Sequence, residues 1–387
     1  MANCFVFIGE PGPDAKDKLG ILESNGTTAR RVGDPADVNA VVDLSPIAIV
    51  IQGDLPMLGE YVVALRERRE LSRVPVIARL SRFERSAVEH AFRGGCDDII
   101  VDSKLNQFQA MAAVITQHDD WQSMRAPAGL VVLAHQDRYT RMRIGQVLRK
   151  NGFDLHFAAS TDELVEVIDT KKPRAVITAA DLPPRSPVSY SSTMDHQAPW
   201  IVLATTEQMA LLETAVEDQE DIKFLDSSSD AESLTFVLND FLAPRQKAER
   251  RSPRILYGTT VAFWPKDGSA AEEFLGFTYN VNIGGLFVRT LTPPPMQSVL
   301  YLRFSPPFGL GSVVMTAQVV WRKAIGTSGG AATPEGMGVQ FVEAMPADLA
   351  GFEGGYNALR ENQDKRKAAY TSKAPEDPTY CSTSVIP

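Results

Sequence analysis

The sequence is poor in cysteine, in excess positive charge and in long hydrophobic runs. Its three cysteines, Cys4, Cys96 and Cys381, are odd in number and widely spaced, which argues against a disulfide framework. With 39 Lys and Arg against 48 Asp and Glu, the net charge is -9, so a generic affinity for nucleic acid or anionic membranes is not expected. No apolar run approaches the ~20 residues of a membrane span. We expect a cytoplasmic protein in which Cys4 and Cys96 are buried, reduced thiols.

Catalytic and metal-binding motifs are also missing from the sequence. There is no glycine-rich phosphate loop, zinc motif or nucleophile elbow. The histidines are isolated and lack metal-ligand spacing; they are His90, His118, His135, His156 and His196. The sequence therefore predicts a protein that is not an enzyme, with no catalytic residue and no bound metal.

An internal repeat at domain-length spacing organises the first 242 residues. The pair Leu55-Pro56 returns as Leu182-Pro183, and Asp102-Ser103 returns as Asp226-Ser227. Within each copy, short apolar runs alternate with amphipathic segments such as residues 140–150. This alternation predicts two parallel sheets, each covered by helices on both faces.

The sequence pattern changes after the second copy. Six short runs rich in β-branched and aromatic residues, separated by Gly and Pro, predict a small antiparallel barrel. Residues 346–359 are predicted to form one closing helix, and the polar residues after them a disordered tail. Residues 185–197 replace the expected third helix of the second copy with a polar loop. The predicted divisions are two α/β domains at 1–118 and 129–242, a barrel domain at 245–360 and a tail at 361–387.

The two copies resemble the receiver domains of two-component signalling, which have the flavodoxin-like, doubly wound α/β fold. In such a domain an Asp at the end of the third strand accepts a phosphoryl group, assisted by Mg²⁺ and by a Lys after the fifth strand. In each copy the phosphoacceptor position lies four residues before the repeated proline, Pro56 or Pro183. Gln52 and Ala179 occupy these positions. Asp102 and Asp226 replace the Lys. We therefore predict that both copies are pseudo-receivers that cannot be phosphorylated.

The barrel resembles the PilZ family of bacterial receptors for cyclic-di-GMP across about residues 245–358. The family's RxxxR motif corresponds to residues 250–254, with Arg250 and Arg254 at the paired positions. Its D/N-x-S-x-x-G motif corresponds to residues 280–285, with Asn282 at the usual serine position.

The resemblance to PilZ implies a cyclic-di-GMP site built from five residues. Arg250 and Arg254 would bind phosphate and stack on guanine, and Asn280 would hydrogen-bond a guanine edge. Asn282 would supply a further hydrogen bond, and Gly285 would let the backbone approach the base. The output would be control of motility, polarity or exopolysaccharide, through protein partners bound by the pseudo-receivers.

Two other hypotheses stay open at this stage. The larger Asn282 side chain favours a scaffold that keeps the PilZ fold without binding cyclic-di-GMP. An active phosphotransfer regulator would require phosphate on an Asp within residues 1–242, against which Gln52 and Ala179 both count. Homodimerisation is a further expectation that the sequence does not decide.

Overall fold

The first domain is a parallel sheet covered by helices on both faces. The computed structural model describes residues 3–10, 12–102, 104–117, 128–184, 198–215, 221–229, 231–242, 252, 254–269, 272–309, 311–325 and 334–371. The elements of the first domain are β1 (Cys4–Ile8), α1 (Ala15–Ser24), β2 (Thr28–Val32), α2 (Val38–Asp43), β3 (Ala48–Gln52), α3 (Leu58–Glu67), β4 (Val76–Leu80), α4 (Arg85–Arg93), β5 (Asp98–Val101) and α5 (Leu105–Gln117).

The strand order of the first sheet is β2-β1-β3-β4-β5, and the strands pair in parallel. β1 is buried at every position, as expected for a central strand with helices on both faces. Cys4 and Cys96 are buried thiols, which confirms the prediction for these two residues. Cys381 lies outside the described residues.

The second domain repeats the same architecture. Its described elements are β6 (Leu130–Ala134), α6 (Arg138–Lys150), β7 (Asp154–Ala158), α7 (Thr161–Lys171), β8 (Ala175–Ala179), β9 (Trp200–Ala204), α8 (Thr206–Ala215), β10 (Ile222–Asp226) and α9 (Ala231–Leu242). The sheet order is β10-β9-β8-β6-β7, so the two copies share one topology and the predicted doubly wound fold is confirmed. The polar loop predicted for residues 185–197 lies outside the described residues.

The third domain is a closed antiparallel barrel of six strands, as predicted. The strands are β11 (Ile255–Pro265), β12 (Phe274–Asn282), β13 (Gly285–Arg289), β14 (Val299–Phe304), β15 (Val313–Lys323) and β16 (Gly336–Ala344). Around the barrel they run β11-β12-β13-β16-β15-β14. The interior is filled by alternate apolar side chains, among them Val261, Val281 and Met315.

A long helix, α10 (Pro346–Thr371), packs against the barrel. Its Phe352 is fully buried and meets Phe304 and Phe341 edge-on, at ring-centroid distances of 5.7 and 5.1 Å. The sequence placed the end of this helix near residue 359 and a disordered tail from residue 361. That placement needs correction, because the helix continues to Thr371. Residues 372–387 lie outside the described residues.

The three domains pack against one another through aromatic side chains of the barrel. Phe92 of α4 stacks on Phe277 at 5.2 Å. From the second domain, Phe236 of α9 contacts Tyr279 at 5.3 Å and Phe287 at 5.1 Å. Because such rings bury large apolar areas, these contacts fix the barrel against both α/β domains.

Candidate functional site

The third strand of each α/β domain ends where the sequence placed the lost phosphoacceptor. Gln52 is the last residue of β3, and Ala179 is the last residue of β8 and is 3% exposed. The Gln52 Oε1 atom lies 3.5 Å from the backbone nitrogen of Glu10. Asp54 and Asp181 follow the strand ends and are exposed. An amide and a methyl group therefore occupy the positions where a receiver needs a carboxylate nucleophile.

An internal ion-pair cluster fills the same edge of the first sheet. The Arg79 guanidinium donates two hydrogen bonds to Asp102, each of 2.8 Å, and Lys18 Nζ lies 2.8 Å from Asp102 Oδ1 and 2.5 Å from Asp14 Oδ1. Burial alone would raise the pKa of Asp102, but the hydrogen bonds from Arg79 and Lys18 outweigh it and hold the pKa below its ordinary value. These charged side chains are thus paired with one another within the domain. A carboxylate, Asp102, occupies the position where a receiver has a lysine.

The corresponding strand ends of the second domain have different contacts, with Arg141 donating to the backbone carbonyl oxygens of His135 and Gln136 after β6. Asp226, at the lysine position, accepts hydrogen bonds from Thr206 Oγ1 at 3.0 Å and from Ser228 Oγ at 2.5 Å. Among the described residues, no group of three or more His, Cys, Asp or Glu side chains is arranged to hold a metal ion.

The motif at residues 280–285 forms the hairpin between β12 and β13. Asn282 pairs with Gly285 across a two-residue turn. The Asn282 Oδ1 atom accepts a hydrogen bond of 3.0 Å from the backbone nitrogen of Gly284, the side-chain-to-backbone bond by which Asn stabilises turns. The side chain of Asn282, which replaces the usual serine, therefore stabilises the turn.

Asn280 lies two residues before the turn and is 6% exposed. Its side-chain amide makes no hydrogen bond to any residue that the structure describes. Asn280 pairs with Leu256, which packs against the second domain outside the barrel, and Val281 points into the barrel core. The Asn280 and Asn282 side chains therefore lie on the outer face.

The structure places Arg254 close to this hairpin. Arg254 is exposed and precedes Ile255, which pairs with Val281 on the neighbouring strand. Arg254 and the segment 280–282 therefore lie at the same end of the β11–β12 pair. Arg250 lies outside the described residues.

Gly285 has a structural requirement that the sequence did not reveal. A Cβ atom at this position would lie 2.0 Å from the carbonyl oxygen of Val339 on β16. The absence of a side chain at Gly285 is therefore needed for the pairing of β13 with β16, whether or not a ligand is bound.

Comparison with known proteins agrees with this geometry. The PilZ domain family matches residues 248–351, the segment that contains the closed barrel and its hairpin. This segment is a PilZ domain. No curated protein matches the chain significantly.

The solved structures to which the chain is similar include proteins of two-component signalling. A protein described as a two-component system response regulator/GGDEF domain protein is 16% identical, and the match covers 62% of this chain and 97% of that one at a TM-score of 0.33. The receiver domain of the sensor histidine kinase PA1611 from Pseudomonas aeruginosa PAO1 is 15% identical and covers 31% and 100%, at a TM-score of 0.28. The receiver domain of an HD domain-containing protein from Pseudomonas fluorescens Pf-5 is 21% identical and covers 30% and 95%, at 0.28.

The chain thus consists of two receiver-like domains followed by a PilZ domain. The assignment of the receiver-like fold rests on the strand order of the two sheets, which is the same in both copies. No described helix is both long enough and apolar enough to cross a bilayer.

The PilZ domain is joined to both receiver-like domains by a buried carboxylate that the sequence analysis did not identify. Asp97 precedes β5, and its side chain is 4% exposed. It accepts hydrogen bonds from Arg66 at 2.6 Å, from Arg289 of β13 at 3.0 Å and from the backbone nitrogen of Val76 at 2.8 Å. It also forms an ion pair with Lys150 of the second domain. We call these four side chains, Asp97, Arg66, Lys150 and Arg289, the Asp97 cluster.

Arg289 has a second set of contacts inside this interface. Its guanidinium lies over the rings of Phe92 and Tyr279, at 5.8 and 5.9 Å from their centroids, and donates to the Tyr279 hydroxyl at 3.2 Å. That hydroxyl donates to the Phe92 carbonyl oxygen at 3.3 Å. A cation between aromatic faces and a carboxylate is stabilised by both, so Arg289 connects the PilZ domain firmly to the first receiver-like domain.

Asp98 lies beside the cluster and is fully buried. It accepts hydrogen bonds from the backbone nitrogens of Leu291 at 2.7 Å and Ile99 at 2.8 Å, and from Thr290 Oγ1 at 3.0 Å. Burial raises the pKa of Asp98 to about 7, although these hydrogen bonds and the charge of Arg289 act to lower it.

We expect Asp98 to make the stability of the protein depend on pH. Because its folded pKa is about 7 and its ordinary value is 3.8, the folded state keeps a proton between these pH values that the unfolded state has released. The stabilisation is complete below about pH 4 and is lost as the pH rises through about 7. Between pH 5 and 8, the free energy of unfolding of wild type should fall by about 2–3 kcal/mol more than that of Asp98→Asn. Unfolding measured across this range tests the prediction, and parallel curves for the two proteins would contradict it.

Proposed function

We propose that the protein is a non-enzymatic effector that binds cyclic-di-GMP through its PilZ domain. The observation that carries the proposal is the hairpin at residues 280–285, which lies at the same end of the β11–β12 pair as the exposed Arg254 and holds Asn280, whose amide has no hydrogen-bond partner among the described residues. A guanine edge needs a donor and an acceptor together, and an Asn side chain offers both. Arg250 and Arg254 are the proposed phosphate and guanine ligands, and Asn282 and Gly285 shape the turn.

The proposed output is a change in how the receiver-like domains contact the PilZ domain. Phe236 of α9 stacks on Tyr279, the neighbour of Asn280 in the chain. Nucleotide bound at Asn280 would therefore act directly beside a contact with the second receiver-like domain. We propose that these domains bind protein partners and that the response controls motility, polarity or exopolysaccharide.

Calorimetric titration of the full chain with cyclic-di-GMP tests the proposed function. We expect saturable binding with a Kd in the micromolar range, about -8 kcal/mol, and no saturable binding of GMP, which cannot span both the arginines and the hairpin. Heats of dilution alone with cyclic-di-GMP would contradict the proposal.

A ligand-independent scaffold is the second candidate. It is favoured by the engagement of Asn282 Oδ1 with the turn and by the 6% exposure of Asn280, which together leave little surface for a base. An Asn282→Ser variant has the usual residue of the motif. Saturable binding of cyclic-di-GMP to this variant and not to wild type would support the scaffold.

A further inference from the structure

A cavity lies between the two receiver-like domains, away from the PilZ hairpin. Its volume is about 250 Å³, and its walls come from α3, α4 and the two glycines after α4 in the first domain, and from α6 and Ala231 in the second. Beside it, Gln146 Nε2 of α6 donates a hydrogen bond of 3.0 Å to the Val63 carbonyl oxygen of α3. We call this space the inter-receiver cavity.

The lining of the inter-receiver cavity is strongly cationic. Its charged side chains are Glu60, Arg66, Arg93, Arg143 and Lys150. Four cations and one carboxylate therefore line it, and two of the cations, Arg66 and Lys150, also pair with Asp97. The chain as a whole has a net charge of -9, so the charge of the cavity lining is opposite in sign to that of the whole protein. Cations grouped in a partly enclosed space focus a field that attracts anions.

Arg143 provides the observation that points most directly to a ligand. Its Nε atom is buried and has no hydrogen-bond partner among the residues that the structure describes. Buried charged donors are normally satisfied by a protein group, a water molecule or a ligand. In a cavity lined by further cations, an anion is the ligand that suits such a donor.

The remaining lining suits a small molecule with one apolar part. Met57 and Tyr139 are 48% and 53% exposed at the cavity, and Val62 and Val63 form part of its wall. The planar guanidinium fork of arginine matches phosphate oxygens, and the Tyr139 ring can stack on a flat group. At about 250 Å³ the space is at the small end of ligand pockets.

We propose that the inter-receiver cavity binds a small phosphate-bearing anion, held by Arg143 together with Arg66, Arg93 and Lys150. Such a ligand bridges the two receiver-like domains. Arg66 and Lys150 are also members of the Asp97 cluster, so the anion shares two cations with the carboxylate that contacts Arg289 of the PilZ domain. The site is separate from the proposed cyclic-di-GMP site and does not depend on it.

The test is calorimetric titration of the full chain with two probes, inorganic pyrophosphate and AMP. Saturable binding of pyrophosphate is expected, and tighter binding of AMP would assign the ligand to nucleotides instead of inorganic phosphates. Arg143→Ala should weaken binding about ten- to a hundredfold. Arg138→Ala is the matched control, because Arg138 is an exposed residue of the same helix that does not line the cavity.

Measurements on three variants complete the test. Arg143→Ala should unfold at the same temperature as wild type or higher, since it removes a buried donor that has no hydrogen-bond partner in the described part of the chain. Should that variant fail to fold, Arg143→Gln keeps much of the side chain and is expected to show the same weakening. Arg254→Ala should leave pyrophosphate binding unchanged. Absence of saturable binding of both probes to wild type, or equal affinities for wild type and the Arg143 variants, would overturn the proposal.

Discussion

Replacement of Asp97 by alanine is expected to lower the free energy of unfolding by about 3–5 kcal/mol, since it removes one partner from a buried ionic cluster. Arg66, Lys150 and Arg289 would lose their shared carboxylate while staying buried. The backbone nitrogen of Val76 would lose its hydrogen bond as well. Because these groups come from all three domains, the loss should also weaken the coupling between them.

Denaturant unfolding followed by circular dichroism measures this effect. Asp97→Asn keeps the shape of the side chain without its charge, so its loss should be large but smaller than that of Asp97→Ala. Asp154→Ala is the matched control, because Asp154 is an exposed residue at the start of β7, and it should change stability by less than about 0.5 kcal/mol. A change of under 1 kcal/mol for Asp97→Ala would show that the cluster does not hold the domains together.

The double variant Arg250→Ala/Arg254→Ala is expected to reduce cyclic-di-GMP affinity from micromolar to near millimolar. Each arginine is proposed to make charge-assisted contacts of about 1.5–3 kcal/mol, and every 1.4 kcal/mol is a factor of about ten in Kd. Protein stability should change little, because Arg254 is exposed.

Calorimetric titration of the double variant beside wild type measures this loss. Arg303→Ala provides the control, since Arg303 is a barrel arginine with a half-exposed side chain on β14, paired with Glu273 at 2.7 Å. It removes one positive charge from the barrel without touching the hairpin. If the double variant bound cyclic-di-GMP as tightly as wild type, the arginine assignment would be wrong.

The fold of this protein could be predicted from the sequence because local patterns of apolar and turn-forming residues specify its strands and helices. Short apolar runs and the repeated prolines located both α/β domains, and the strand ends at Gln52 and Ala179 lie where the repeat placed them. The six strands of the barrel were likewise visible as β-branched runs between Gly and Pro residues.

The Asp97 cluster was not predictable in the same way. Arg66 and Arg289 lie 31 and 192 residues from Asp97 in the chain, and Lys150 belongs to another domain, so no local spacing joins them. The one local signal was the acidic pair Asp97-Asp98 at the start of a buried strand, which is unusual because buried charges need partners.

The extent of α10 was missed for a different reason. Residues 361–371 have few apolar side chains, and composition alone predicted disorder. In the structure, ion pairs at i,i+4 spacing continue the helix: Arg360 lies 3.9 Å from Asp364, and Lys365 lies 3.5 Å from Glu361. Such pairs support an exposed helix without an apolar face.

Hydrogen–deuterium exchange of the full chain with and without cyclic-di-GMP tests the central claim most directly, because it reports where the nucleotide acts. We predict that bound nucleotide slows amide exchange in peptides that cover residues 250–256 and 279–287. The slowing should extend to α9, which contacts this segment through Phe236. Unchanged exchange in both peptides at a saturating nucleotide concentration would contradict it.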